Sequence, residues 1–179
     1  MRWLLIIALS AAAVALVLAY RPPLQPGAPA KKIQLSNLPV GYCPSRVWLI
    51  VTDHAGKVFF DNERTVGNCR EVDLTDITLP SEGLVYLKAP LALALKRTFT
   101  SESLPLITAL ALGDVTADNV INGADEVLVR GAVSGSEPVP GTDIDQDGQM
   151  TVIDLAYIKV NQRAGEPRPD GKPWSEAVH

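Results

Sequence analysis

Two stretches of this chain repeat oxygen-bearing side chains around a turn, at spacings that suit a metal ion. "DIDQDGQMTVID", Asp143 to Asp154, places carboxylates at Asp143, Asp145 and Asp147, turns at Gly148, becomes apolar and closes on Asp154. A hard cation such as calcium takes six to eight oxygens at about 2.3 to 2.6 Å, and a twelve-residue loop supplies them from positions 1, 3, 5, 7, 9 and 12. Counted from Asp143, those positions hold Asp143, Asp145, Asp147, the Gln149 carbonyl, Thr151 and Asp154, with Gly148 at position 6, where the backbone must turn with positive φ. "DVTADNVINGAD", Asp114 to Asp125, repeats the pattern with Asp114, Thr116, Asp118, the Val120 carbonyl, Asn122 and Asp125. Its turn residue is Asn119, the residue type that best replaces glycine at positive φ. An acidic loop alone is usually solvated surface; two in the same register point to a pair of calcium sites. The second has four carboxylates against three in the first, so it is expected to bind the more strongly.

The elements that would hold these loops are unequal on their two sides. Each loop runs into an apolar helical pattern, Val127, Leu128 and Val129 after the first and Leu155, Ile158 and Val160 after the second. Before the loops no helix is expected: "LPLITALALG" reads equally well as a strand, and the prolines of "SGSEPVPGT" forbid a helix. Ile121 and Met150, both at position 8, are expected to turn inward while their backbones pair with a neighbouring loop.

Two duplicated loops about thirty residues apart, each with only its exit helix, resemble the type I dockerin module. "LALGDVTADNVINGADEVL" and "GTDIDQDGQMTVIDLAYIKVNQ" carry the resemblance, which covers roughly a quarter to a third of the chain. It implies two bound calcium ions and a cohesin-type protein partner. Contact would be made by the exit helices and the residues just before the last ligand, Gly123 and Ala124 in one repeat and Val152 and Ile153 in the other. The sequence departs from the pattern at Thr116, where Asp or Asn is usual, and at Asn119, which replaces glycine.

Ahead of the loops, "IQLSNL", "RVWLIVT", "KVFFDN", "EVDLTDITL" and "LVYLKA" alternate in short runs separated by turn residues, which predicts an antiparallel β-sandwich with a hairpin turning at Asp53 to Gly56. Trp48 and Tyr86 lie in these strands and read as core residues rather than sugar platforms. Cys43 and Cys69 are the only cysteines. In an exported chain such a pair is most simply a disulfide, and closing a loop of about 26 residues is worth roughly 3.5 kcal/mol on chain entropy alone.

Residues 3–20 form an uncharged, predominantly apolar run behind Arg2, about 27 Å long as a helix and just enough for a bilayer core. It reads as an anchor that keeps the protein at the membrane, with a cleaved signal ending near Ala19 as the alternative. Residues 21–32, with four prolines, read as a semi-stiff spacer. The expected fold is therefore α+β with two small domains: an apolar N-terminal helix, a sandwich over 33–112, a dockerin-like module over 113–163, and a flexible tail over 164–179 in which Trp174 either folds back as a clasp or stays disordered.

A net charge of −4 leaves no basic face for nucleic acid. His54 and His179, the only histidines, sit in a turn and at the terminus, and no G-x-S-x-G elbow appears, so no enzyme is expected. The functional expectation is a calcium-stabilised surface protein that docks a partner. Two alternatives stay open: a structural calcium-binding or fibre-forming protein with no such partner, and a carbohydrate-binding sandwich attached through the calcium unit.

Overall fold

Alternation sets which strand residues are buried, and their register decides what they pack against. The structure, a computed structural model, describes residues 31–137 and 139–174. Among these residues are nine strands, β1 (Lys32–Ser36), β2 (Arg46–Thr52), β3 (Val58–Gly67), β4 (Glu71–Asp73), β5 (Glu82–Lys88), β6 (Leu95–Thr100), β7 (Leu106–Thr108), β8 (Val120–Ile121) and β9 (Arg163–Ala164), and two helices, α1 (Gly123–Val133) and α2 (Val152–Asn161). The first seven strands form one curled sheet in the order β6-β5-β2-β3-β4-β1-β7. Leu49 pairs with Leu87 and Val51 with Val85 across the β2–β5 ladder, and Ile33 pairs with Val72 across β1–β4. These side chains are almost wholly buried, and burying each contributes about 1.5–3 kcal/mol.

β3 is the strand on which the sheet changes direction. It pairs with β2 as far as Thr65 and with β4 at Val66 and Gly67. The Asp53 hairpin forms as expected: Asp53 Oδ1 accepts from the amides of Ala55 and Lys57, both at 2.9 Å, and Gly56 takes φ 84°. Cys43 and Cys69 form a disulfide, with Cα atoms 4.7 Å apart.

The expectation of two small domains, an antiparallel sandwich followed by a separate dockerin-like loop-helix module, is corrected by three findings. Residues from Lys31 onward make one compact unit. Its main sheet is mixed, because β7 lies parallel to β1 with Leu35 opposite Ile107. Ile121, Val129, Ile144 and Ile158, from the acidic segment, belong to the same buried cluster as Ile33, Leu49 and Leu87. The physical reason is the small apolar face of each helix. α1 buries Val129 and Ala132 and α2 buries Ile158 as their only apolar residues, too little to close a core without the sheet. β8 also pairs with β9 and not with the second loop, so the expected loop-to-loop pairing at Ile121 and Met150 is replaced by a pairing with the C-terminal segment. The described residues are thus mostly β-sheet with two short helices.

Among the described residues no helix is long and apolar enough to cross a membrane. The expected apolar N-terminal helix falls outside the described residues.

Of the two readings of Trp174, the clasp is what forms. Its ring is buried against Ile50, Tyr86 and Ala94 on the opposite face of the sheet from Leu49 and Leu87, with Trp48 and Leu84 beside it. Its indole N–H donates to the Glu166 carbonyl at 2.8 Å. Arg168 locks the same segment: its guanidinium pairs with Asp61 at 2.9 Å and Asp170 at 3.0 Å and lies over the rings of Trp48 and Trp174.

Candidate metal centre

The second loop folds on its own backbone donors. Asp143 Oδ2 accepts from the Gly148 amide at 2.9 Å, Asp145 Oδ1 from Asp147 at 3.3 Å, and Asp147 Oδ1 from Gln149 at 2.8 Å. Gly148 has φ 88° and Gln146 φ 61°, the positive values that the tight turn demands. These bonds leave one oxygen from each of Asp143, Asp145 and Asp147 within 4.8 Å of the others, a group of three acceptors on one side of the turn. Asp143 Oδ1 is buried and has no hydrogen-bond partner. Burial, and then the neighbouring carboxylates, raise the Asp145 carboxyl above its ordinary value. Three carboxylates held together in partial burial repel one another, and a cation relieves that repulsion.

Positions 9 and 12 are placed differently from the expectation. Thr151 Oγ1 accepts from the Ile153 amide at 3.1 Å as the N-cap of α2, and Asp154 returns a bond to the Thr151 amide at 2.8 Å, completing a capping box. The second Asp154 oxygen accepts from the Ile144 amide at 2.8 Å. Asp154 is therefore fully buried and spent on backbone donors, outside the group of three. Gln149, whose carbonyl was the expected position-7 ligand, is exposed.

The first loop repeats this wiring with a different charge balance. Asp114 Oδ2 accepts from the Asn119 amide at 3.1 Å, as Asp143 does from Gly148, and Asp118 Oδ1 accepts from Val120 at 2.8 Å, as Asp147 does from Gln149. Asn122 caps α1 and Asp125 completes its capping box. Thr116 donates both its amide and its hydroxyl to Asp125 Oδ1, at 2.9 and 3.0 Å. Among the described residues no group of three converging carboxylates forms here.

Asp114 instead meets a lysine. Lys88 Nζ, at the end of β5, donates to Asp114 Oδ2 and to the Ala92 carbonyl, and both side chains are almost completely buried. Burial pushes the ammonium below and the carboxyl above their ordinary values, and their mutual attraction opposes both shifts. Asp114 Oδ1 is left buried without a partner. Asn119 does more than turn: its side chain accepts from Ala94 N at 2.7 Å and donates to Glu166 O at 3.0 Å, and its carbonyl accepts from Gly165 N at 2.8 Å.

Sequence reasoning missed Lys88. The one available signal was its position in "LVYLKA", a lysine in phase with Leu84 and Tyr86 on a buried strand. Of the residues expected to meet a partner, Gly123 and Ala124 are exposed on the first turn of α1. Val152 and Ile153 open α2 at 71% and 52% exposure, and Val127 and Val160 are exposed on the two helices.

No protein-family model matches this chain, and no curated protein matches it. The β-rich fold and the disulfide stand on the structure alone.

Proposed function

We propose that this is an exported, non-enzymatic protein whose second acidic loop binds one calcium ion as a structural clamp on its own β-sheet. The observation that carries the reading is the convergence of Asp143, Asp145 and Asp147 within 4.8 Å, with Asp143 Oδ1 buried and lacking a protein partner. The Gln149 carbonyl and water are the further oxygens available to complete the shell. Support for a structural role comes from Ile144, inside this loop, which is buried in the core it shares with the sheet. The disulfide fits an oxidising compartment, and residues 3–20 would deliver the chain to a membrane or across it.

At about 1 mM calcium, a site of about 10 μM dissociation constant adds roughly 2.7 kcal/mol of stability, or on the order of 5–10 °C in melting temperature. Scanning calorimetry in EDTA and then in 1 mM calcium tests this; an unchanged transition removes the metal from the account.

A second reading, docking of a protein partner of cohesin type, is favoured by the exposed Val127, Val152, Ile153 and Val160. Solvent-exposed apolar side chains grouped on two short helices are a feature of contact surfaces. A pull-down with the purified chain, with and without calcium, is expected to capture a partner that Val152→Ser with Ile153→Ser releases. Capture that ignores this pair would exclude the surface.

A further inference from the structure

We infer that Lys88 is the first loop's built-in cation, so that this loop closes without a divalent ion and the chain takes one calcium where its two loops suggest two. The count rests on the reading of the second loop; the role of Lys88 does not.

A buried carboxylate needs a counter-charge. Asp114 is 1% exposed, and Lys88, also 1% exposed, supplies that charge from β5. The equivalent aspartate of the second loop has no such partner: among the described residues no ion pair involves Asp143, Asp145, Asp147 or Asp154, while Asp114 has Lys88. Counting Lys88, the first loop carries two net negative charges from Asp114, Asp118 and Asp125, against four in the second. A divalent ion on Asp114 would share one carboxylate with an ammonium already bonded to it, and like charges at that separation repel strongly in a buried setting.

The first loop also has no need of a metal to hold its shape. Asn119 ties the turn to Ala94, Gly165 and Glu166, and Thr116 holds Asp125 through two donors. The second loop lacks a staple of that kind at Gly148. Asp114 Oδ1, buried and unpartnered, is the atom that a metal would take if the ammonium were removed.

Calcium titration by isothermal calorimetry on the full chain in mild detergent reads the number of ions. Wild type is expected to bind one, and Asp145→Asn with Asp147→Asn none. Adding Lys88→Gln to that pair is expected to restore one ion, which Asp114→Asn then abolishes. Two ions on the wild type, or one retained by the Asp145/Asp147 pair and lost with Asp114→Asn, would overturn the inference without any Lys88 variant. If Lys88→Gln in the Asp145→Asn, Asp147→Asn background folds poorly in EDTA, recovery of its circular dichroism on adding calcium supports the inference, and no recovery counts against it. A wild type that binds no calcium sinks the second-loop reading and leaves Lys88 to be judged on whether Lys88→Gln gains an ion.

Discussion

In the first acidic loop the opening carboxylate, Asp114, meets a buried ammonium as well as a backbone amide; in the second, Asp143 meets the backbone amide alone, and each keeps one buried oxygen without a partner. The backbone wiring of the two loops is otherwise close to identical: position 1 accepts from position 6, position 5 from position 7, and positions 9 and 12 cap a helix. The same twelve-residue grammar can thus end in an internal ion pair or in a converging acidic group. What decides is the strand laid beside it. β5 ends on Lys88 next to the first loop, whereas the second loop lies against the disulfide-linked turn, where a Cβ on Gly41 would come within 2.6 Å of the Asp145 carbonyl and the Cys43 amide donates to Gln146 Oε1 at 3.2 Å.

The largest expected effect tests the first loop. Lys88→Met leaves Asp114 buried without a counter-charge, a change that costs about 3–5 kcal/mol. Asp145→Asn in EDTA is expected to cost less than about 1 kcal/mol, because it removes one of three carboxylates that crowd one another. Urea unfolding of the two variants reads the contrast, and equal losses would erase it.

Removing the disulfide with Cys43→Ser and Cys69→Ser is expected to cost about 3.5 kcal/mol and to fall on the second loop. Calcium affinity should drop while the first loop keeps its ion pair; a titration in which affinity is unchanged would separate the disulfide from the metal centre. Trp174→Ala acts on the other side. It removes a buried ring worth about 3 kcal/mol and frees the segment that holds Asn119 through Gly165 and Glu166. Calcium affinity of the second loop should survive this change, and its loss would show that the two loops are coupled.

The smallest effect is one of pH. Bonds from Arg168 hold the Asp170 carboxyl below its ordinary value of 3.8. A depressed carboxylate contributes stability that is present above the ordinary value and is lost as pH falls through the folded one. Melting temperatures between about pH 5 and pH 2 should therefore fall slightly less steeply for Asp170→Asn than for wild type. A parallel acid limb would remove Asp170 from the clasp.

Local features of this fold were legible in the sequence and distant ones were not. Strand runs, the Asp53 hairpin and the grouping of Asp143, Asp145 and Asp147 follow from neighbours along the chain, whose period and turn chemistry are written locally, and the disulfide was legible across 26 residues because Cys43 and Cys69 are the only two cysteines. Lys88 and Asp114 lie 26 residues apart, and Arg168 and Asp61 lie 107 apart. No periodicity says which polar residue on one strand will meet which residue on a later loop. "LPLITALALG" was ambiguous for a related reason: β7 is three residues long and is fixed by its parallel pairing with β1, a partner some seventy residues earlier in the chain. Two separate domains do not form because each helix buries so little apolar area, Val129 and Ala132 in α1 and Ile158 in α2.

Hydrogen exchange resolved to single amides puts the two loops side by side in one sample. A single ion in the second loop predicts that calcium slows exchange at Gly148, Gln149 and Thr151, whose amides bond to Asp143, Asp147 and Asp154, and leaves Asn119, Val120 and Asn122 as protected as they were in EDTA. Equal slowing in both loops, or none in the second, would contradict it.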